Sequence, residues 1–321
     1  RGGGFFRPVD PAVGIRLVPF PDRAGESVGA RILRSIQLLG AAFDGSSYDV
    51  VHAQDCISAN AVPRCIRTVH HLDDFSTPEL AACHERAIVA PIAHICVSAA
   101  VAAQLHAGWG ITARVIHNGV DAARFSCAAG PGGAAARAAW RARLGRYVLT
   151  IGGIEPRKGS LTLLDAYALL HQDMPEVQLV IAGGETLFDY RDYRARWEQR
   201  AQELGVEPLV LGPVAHAELP ALVAAAGVFA FPSTKEGFGL AAMEALAAGV
   251  PLVVSDLPVF REIFTGAARF ADGPGQFAAA LIAALAESNG AGTRQAGRTL
   301  VSSYTWATAA QRHLDLYRTV T

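Results

Sequence analysis

The feature of this sequence that most constrains its fold is the alternation of short apolar segments with longer amphipathic ones. The apolar segments, rich in β-branched residues, lie at 48–53, 66–70, 93–98, 113–121, 146–153, 177–184, 208–212, 228–233 and 251–256. Segments with apolar residues at helical spacing lie between them, near 27–43, 79–90, 99–107, 160–171, 190–204, 216–226, 239–248, 276–287 and 305–320. Strands that are apolar throughout are buried on both faces, so the pattern predicts parallel sheets covered by helices.

The alternation occurs in two halves, separated by the tract CAAGPGG at 127–133, which we interpret as a loop. With 321 residues the chain is also too long for one ordinary core. We therefore predict an α/β protein of two Rossmann-like, doubly wound domains that face a cleft. The first half offers four strand candidates and no opening strand–glycine loop–helix unit. We expect this domain to lack its first unit.

Composition excludes several functions that depend on bulk charge. The chain has 28 basic and 29 acidic residues, so it has no polybasic field to hold a nucleic acid polymer. Residues 1–128 carry 11 arginines and 11 acidic residues, which argues against a strong anionic-membrane patch and leaves only weak peripheral contact open. Five cysteines without a CxxC pair indicate neither a disulfide framework nor a zinc site. A cytoplasmic location is expected, with peripheral contact at the inner face of the membrane left open, and the oligomeric state is not predicted.

The strongest local motif is FPSTKEGFGLAAMEALAAGVPLVVSD at 231–256. A strand leads into a loop whose Gly237 and Gly239 permit close backbone approach, and the following helix N-terminus suits a phosphate. Glu236 and Glu244 are eight residues apart, roughly 12 Å along a helix, so they would hold opposite ends of one extended ligand such as a nucleotide sugar. The alternative is a structural turn with two solvated glutamates.

A second motif, TIGGIEPRKGSLTLLDAY at 150–167, places Arg157 and Lys158 between a strand and a helix. Two adjacent cations at the carboxyl end of a strand are positioned for a diphosphate. A solvated pair of loop charges is the alternative. The only two lysines of the chain, Lys158 and Lys235, both fall in these two motifs.

In combination, these motifs resemble the retaining glycosyltransferases of family 4, which have the GT-B fold. The similarity is carried by GGIEPRKG, VIAGG, LGPV and the E-x7-E element in the second half, and by DVVHAQD, TVHH, CVS and VIHNGVDAARF in the first. It covers nearly the whole chain and is closest to a less-characterised branch of actinobacterial type. The resemblance implies that the helix at about 305–321 returns to the first domain. We therefore assign residues 1–128 with 305–321 to an acceptor-side domain, 129–145 to a linker and 146–304 to a donor-binding domain.

The resemblance also implies roles for individual residues. Lys158, Glu236 and His70 would be catalytic, with Arg157 and Lys158 on the diphosphate, Glu236 on the sugar hydroxyls and His70 facing the sugar. The remaining donor-binding positions implied by the family are Gly153, Pro213, Val214, Gly237, Phe238, Gly239, Leu240 and Glu244. The family has an arginine where this chain has Gly153, and we expect Arg157 to supply that charge.

The implied reaction is transfer of a hexose, with retention, from a UDP- or GDP-sugar to an acceptor that is a glycan, a lipid or a small molecule. Because Arg157 and Lys158 would neutralise the diphosphate, no metal and no cofactor are expected. One alternative is a nucleotide-sugar-binding protein without catalysis. A GT-B epimerase or phosphorylase is disfavoured by the E-x7-E element and by the lack of a lysine outside the donor motifs.

Several histidines and aspartates have competing interpretations. His70, His71, Asp73 and Asp74 superficially resemble a metal cluster, but neighbouring side chains on a strand point to opposite faces, so we predict no metal site. Asp55 is interpreted equally as a residue facing the cleft or as a helix cap. His52 and His117 are interpreted as structural.

Overall fold

The computed structural model describes residues 9–73, 75, 77–184, 190–287 and 291–320. The chain divides into two compact units. The N-terminal unit comprises residues 1–116 and 313–321, and the C-terminal unit comprises residues 117–312.

The described residues of the N-terminal unit form a four-stranded parallel sheet with helices between successive strands. The elements in chain order are α1 (Val28–Ala42), β1 (His52–Ala53), α2 (Cys56–Ala61), β2 (Ile66–Val69), α3 (Pro78–Val89), β3 (Ala93–Cys96), α4 (Ala99–Trp109) and β4 (Arg114–Val115). The strands follow one another across the sheet in the order β1-β2-β3-β4, and all three pairs are parallel. Strand β2 is buried along its whole length, including its polar residues Arg67 and Thr68, so both of its faces are covered.

Local sequence signals fix the helix ends in this unit. Ser27 and Ser98 cap α1 and α4, each accepting a hydrogen bond from a backbone N–H of the first turn. Asp55 forms a capping box with Ser58 at the start of α2, so the capping interpretation of Asp55 is the one that the structure bears out. Helix α4 ends at Gly110, whose φ of 67° lies in the left-handed region.

The C-terminal unit is built on a six-stranded parallel sheet. Its elements are α5 (Ala122–Ala129), α6 (Ala134–Leu144), β5 (Arg146–Ile151), α7 (Ser160–Asp173), β6 (Val177–Ala182), α8 (Arg191–Leu204), β7 (Leu209–Gly212), α9 (Leu219–Ala225), β8 (Val228–Phe231), α10 (Leu240–Ala247), β9 (Leu252–Ser255), α11 (Pro258–Phe264), β10 (Arg269–Ala271), α12 (Gly273–Ala286) and α13 (Ala291–Ser302). The last helix, α14 (Trp306–Val320), begins in this unit, and its residues from His313 onward group with the N-terminal unit.

The strand order of this sheet, β10-β9-β8-β5-β6-β7, creates a switch point. The chain leaves β5 toward β6 and β7 on one side, then returns to β8 beside β5 and continues to β9 and β10 on the other. In open α/β sheets ligands bind outside the carboxyl ends of the strands at such a point. The strand order therefore predicts a ligand site at the loops that follow β5 and β8.

Buried apolar side chains hold the helices of this unit against the sheet. One core cluster joins strand residues such as Val148, Leu179 and Val228 to Leu163 on α7 and Leu281 on α12. Every residue of β8 is buried. Two parallel sheets, each flanked by helices, confirm the predicted α/β class.

Some elements differ from the sequence-based predictions. Most of the tract at 127–133 is helical: α5 extends to Ala129, because Asp121 caps it and Phe125 anchors it in the core, and Pro131–Gly133 form a short 3-10 helix. Residues 134–144 form α6, which packs on α9, so this part of the assigned linker belongs to the compact C-terminal unit. The division between the units lies at residue 116 rather than 128, since α5 packs on α9 and α10 of the C-terminal unit.

Candidate active site

The carboxyl edge of the C-terminal sheet gathers the loops that contain the sequence motifs. Gly152 follows β5, Gly183 follows β6, Pro213 follows β7 and Pro232 follows β8. A Cβ atom on Gly183 would collide with the carbonyl of Gly152, and one on Gly184 would lie 3.0 Å from Cγ of Pro213. Glycine at these places lets neighbouring loops touch through their backbones.

Gly159 joins the loop after β5 to the loop after β8. Its φ is 63°, and a Cβ atom there would collide with the carbonyl oxygen of Pro232. The backbone N–H of Thr234 donates to the carbonyl of Arg157 at 2.9 Å, which fixes the two loops side by side. Two motifs almost 80 residues apart in the sequence are therefore in direct contact.

The contact brings two cations onto one carboxylate oxygen. Lys158 Nζ lies 2.5 Å and Arg157 Nη1 lies 3.0 Å from Oε1 of Glu236. Ser233, which is buried, donates its hydroxyl to the same oxygen at 3.4 Å. The Glu236 side chain is only 12% exposed, so these interactions are shielded from water, which strengthens charge-assisted hydrogen bonds.

Sequence reasoning missed a second carboxylate in this cluster. Glu155 is 7% exposed and accepts a hydrogen bond from Arg157 Nη2 at 3.2 Å. It precedes Arg157 by two residues in GGIEPRKG, and an acidic residue beside two cations in a glycine-rich turn was the available signal. The cluster thus holds two cations and two carboxylates, and its charges compensate.

The loop that leads into α10 is bent at a glycine. Gly239 has a φ of 99° and precedes Leu240, the first residue of α10, while Glu244 is half-buried further along that helix. Phe238 is buried with its ring centroid 5.5 Å from that of Tyr304. The Phe238 side chain therefore belongs to an aromatic cluster, and its backbone is the part available for a loop that cradles a ligand.

The remaining donor-binding positions lie on the same edge or beside it. Gly153 directly follows Gly152 in the turn after β5, and Val214 follows Pro213 after β7. Gly237 is buried in the loop between Glu236 and α10. The roles assigned to these residues from the family resemblance stay predictions.

In the N-terminal unit, His70 and His52 make hydrogen bonds to uncharged side chains. His70 directly follows β2, and its Nε2 lies 3.3 Å from Oε1 of Gln54, while burial lowers the pKa of His70. His52 makes hydrogen bonds to the hydroxyls of Thr68 at 2.7 Å and Tyr317 at 2.6 Å. Burial lowers the pKa of His52 to about 4, with smaller contributions from neighbouring histidines.

The sequence predicts no metal site at His70, His71, Asp73 and Asp74. His71 Nε2 lies 3.2 Å from Oδ2 of Asp73, and Asp74 lies outside the described residues. Among the residues that the structure describes, no three His, Cys, Asp or Glu side chains are grouped to hold a metal ion. His117, interpreted as structural, pairs with Glu262 at 3.0 Å in the C-terminal unit.

Family models match almost the whole chain in two consecutive parts. The model for glycosyl transferases group 1 matches residues 138–294, which include every loop of the charged cluster. The model for glycosyltransferase family 4 matches residues 2–124. The chain belongs to the family 4, or group 1, glycosyltransferases. The family resemblance drawn from the motifs is thereby confirmed.

Curated family 4 relatives cover a large part of the chain. It is 34% identical over 222 residues to the phosphatidyl-myo-inositol mannosyltransferase of Mycobacterium tuberculosis. The aligned region covers 66% of this chain and 55% of that relative. It is 33% identical over 281 residues to the D-inositol 3-phosphate glycosyltransferase of Mycolicibacterium vanbaalenii, and this aligned region covers 74% of the chain and 60% of the relative. The chain thus spans little more than half the length of the curated relatives it matches. Both organisms agree with the actinobacterial type inferred from the motifs.

Solved structures of similar shape confirm the GT-B fold. The structure of Anabaena Alr3699/HepE in complex with UDP and glucose matches with a TM-score of 0.73 and 21% identity, covering 92% of this chain and 84% of that one. Sucrose-phosphate synthase from Thermosynechococcus elongatus matches with a TM-score of 0.74 and 20% identity, covering 94% and 81%. Over the described parts of this family 4 chain, no helix has the length and apolar character needed to cross a membrane.

Proposed function

We propose that this protein transfers a hexose from a UDP- or GDP-sugar to an acceptor, with retention of configuration. The observation that carries the proposal is the convergence of Lys158 and Arg157 on Glu236 at the switch point of the C-terminal sheet. That is the position where α/β sheets bind nucleotides. Structural neighbours in complex with UDP and with UDP-glucose support a nucleotide-sugar donor.

The two cations would act on the leaving group. Departure of a nucleoside diphosphate builds negative charge on its oxygens, and fixed positive charges lower the energy of that transition state. Arginine can fork across two phosphate oxygens, whereas lysine acts as a compact point charge. Because Glu236 already holds both side chains in place, little reorganisation is needed when a diphosphate arrives.

Glu236 would position and stabilise rather than attack. Its Oε1 accepts from Lys158, Arg157 and Ser233, and a carboxylate oxygen with three such donors is a weak nucleophile. We propose front-face transfer, in which the leaving phosphate helps to deprotonate the acceptor. The donor sugar hydroxyls would contact Glu236, and the ribose would contact Glu244. Two cations at the diphosphate would also make a metal ion unnecessary.

The acceptor is proposed from the relatives alone. The names of the two curated relatives include phosphatidyl-myo-inositol and D-inositol 3-phosphate. An inositol-bearing acceptor, free or attached to a lipid, is therefore the first class to try, followed by glycans.

The test is release of UDP or GDP from a panel of nucleotide sugars, with and without inositol phosphate and phosphatidylinositol vesicles, and with and without EDTA. We expect the full chain to release nucleotide from one donor, undiminished by EDTA, and Glu236→Ala to lose that release. Arg194→Gln, which alters an exposed ion pair on α8, is the matched control and should keep it.

Two outcomes would contradict the proposal. Release by Glu236→Ala at the rate of the unaltered chain would refute the site. Tight binding of one donor without release under any acceptor condition would favour a nucleotide-sugar-binding protein without catalysis.

A further inference from the structure

The opposite edge of the C-terminal sheet contains a second cavity, far from the candidate active site. It has a volume of about 590 Å³ and lies where β5, β8 and β9 begin, at Arg146, Gly227 and Pro251. The C-terminal ends of α9 and α10 also line it. Strand β5 has six residues at about 3.3 Å each, so roughly 20 Å separates this edge from the charged cluster at the other end.

Five arginines from three elements line this cavity. They are Arg137 and Arg141 on α6, Arg146 at the start of β5, and Arg294 and Arg298 on α13. No acidic side chain is among the described residues that line it. The other lining residues are mostly alanines and glycines, so the guanidinium groups are the charged groups that the cavity offers to a ligand.

Part of this arrangement serves the fold. Helix C-termini carry partial negative charge and unpaired carbonyls, which cations stabilise. Arg141 Nε donates to the carbonyl of Ala225 at 3.3 Å, and Arg146 Nη2 donates to that of Leu285 at 2.6 Å. Arg137 Nη1 donates to the carbonyls of Ala128 and Gly130.

Carbonyl contacts do not account for the full charges of Arg137 and Arg141. A guanidinium has five N–H donors, and the bonds of Arg141 and Arg137 involve a single nitrogen of each. Among the described residues, the carboxylate paired with Arg146 is that of Glu176, an exposed side chain 3.8 Å away that does not line the cavity. Positive charges repel one another at a cavity with no acidic side chain among its described lining residues, and a bound anion would reduce that cost.

We propose that this cavity binds a ligand with two or more phosphate groups. Guanidinium groups recognise phosphate oxygens through paired, charge-assisted hydrogen bonds. The volume lies within the range of small-molecule sites, and arginines from three elements match an extended anion better than a single ion. The site is separate from the proposed donor site, since it uses none of the same residues and lies at the other edge of the sheet.

The test is calorimetric titration of the full chain with inorganic tripolyphosphate. Arg141→Gln with Arg298→Gln removes two exposed charges of the cavity, and we expect binding at this site to weaken at least about tenfold. Arg194→Gln removes an exposed arginine elsewhere and should bind as the unaltered chain does. Lys158→Ala, altered at the candidate active site, should keep the binding event that the double variant loses.

A second variant and a second probe keep the result interpretable. Arg298→Gln alone preserves every carbonyl bond described above and should weaken binding in the same direction, with an unchanged thermal midpoint. Binding of the chain to vesicles of phosphatidylcholine, with and without phosphatidylglycerol, tests whether the phosphate groups belong to a lipid headgroup. Vesicle binding that the double variant loses, without tripolyphosphate binding, would assign the site to lipid phosphates.

The proposal is overturned by either of two results. One is equal binding of both probes by the double variant and the unaltered chain, or no binding of either probe. The other is loss of all tripolyphosphate binding in Lys158→Ala, which would place the anion at the active site alone.

Discussion

The carboxyl edges of the two parallel sheets use different chemistry. In the C-terminal unit the edge carries full charges, with Lys158 and Arg157 on Glu236. In the N-terminal unit, the hydrogen-bond partners of His70, just after β2, and of His52, on β1, are an amide and two hydroxyls. Burial lowers the pKa of both imidazoles, so both are neutral at pH 7.

The difference indicates what each edge can bind. Cations that are already held in place by carboxylates can offer their remaining N–H donors to the oxygens of a diphosphate. Neutral imidazoles donate and accept hydrogen bonds without a charge, which suits sugar or alcohol hydroxyls. The two edges also respond differently to change, because one depends on fixed charges and close backbones and the other on a protonation state.

The largest effect is expected from removing the lysine charge. Lys158→Ala should lower kcat/KM for nucleotide-sugar turnover by about a thousandfold, in the range seen when one transition-state stabiliser is lost. The stem of Lys158 lies over Gly152, where a Cβ atom would be 3.2 Å from Cε, so the ammonium is held in position. Steady-state release of nucleotide measures the loss.

Lys235→Ala is the matched control, since it removes the only other lysine of the chain, from the loop that carries Glu236. We expect its turnover to stay within about tenfold of the unaltered chain. Full activity of Lys158→Ala would show that the charged edge is structural and would abolish the contrast between the two edges.

The next effect concerns the backbone contact that builds the charged edge. Gly159→Ala combines a left-handed φ of 63° with a collision at the carbonyl of Pro232. We expect the free energy of unfolding in urea to fall by more than about 3 kcal/mol, because backbone atoms on both loops must move.

Gly205→Ala separates the two causes of that loss. Gly205 has nearly the same φ, 65°, but no atom lies within 4 Å of its added Cβ. The control should therefore lose only about 1 kcal/mol, the cost of the left-handed conformation itself. Equal losses in the two variants would mean that the close approach of the loops contributes nothing.

Much of the charged edge could be predicted from the sequence, because its residues lie in contiguous motifs. Strands β5, β6, β8 and β9 are predominantly apolar, and the motif loops follow β5 and β8 directly. The contact between Lys158 and Glu236 is a consequence of strand order, which places β5 beside β8. Glu155 was missed, although it lies beside two cations in a glycine-rich turn, because its burial is visible only in the folded unit.

The features that the sequence did not reveal depend on distant parts of the chain. Tyr317 is 265 residues from the histidine that it contacts, and no local pattern connects the two. The five arginines of the second cavity extend from α6 to α13 and meet only in the folded unit. Strand β10, with three residues, is too short to give a periodic signal.

The smallest effect concerns the neutral edge and depends on pH. The unfolded chain protonates His52 near its ordinary pKa of 6.5, whereas the folded chain does so near 4. Between these values the unfolded state binds more protons, so the stability that neutral His52 contributes is present above pH 6.5 and is lost as the pH falls toward 4. We expect a loss of about 2 kcal/mol between pH 7 and pH 5 from this histidine.

His52→Gln should flatten the pH dependence of the unfolding free energy by that amount, measured by urea denaturation at pH 7, 6 and 5. The variant also loses hydrogen bonds to Thr68 and Tyr317, so its stability at pH 7 is lower, and the slope rather than the absolute value is decisive. His106→Gln changes an exposed histidine on α4 and should keep the slope of the unaltered chain. If His52→Gln keeps that slope as well, the imidazole is not held neutral by burial, and the chemical contrast between the two edges is smaller than the structure indicates.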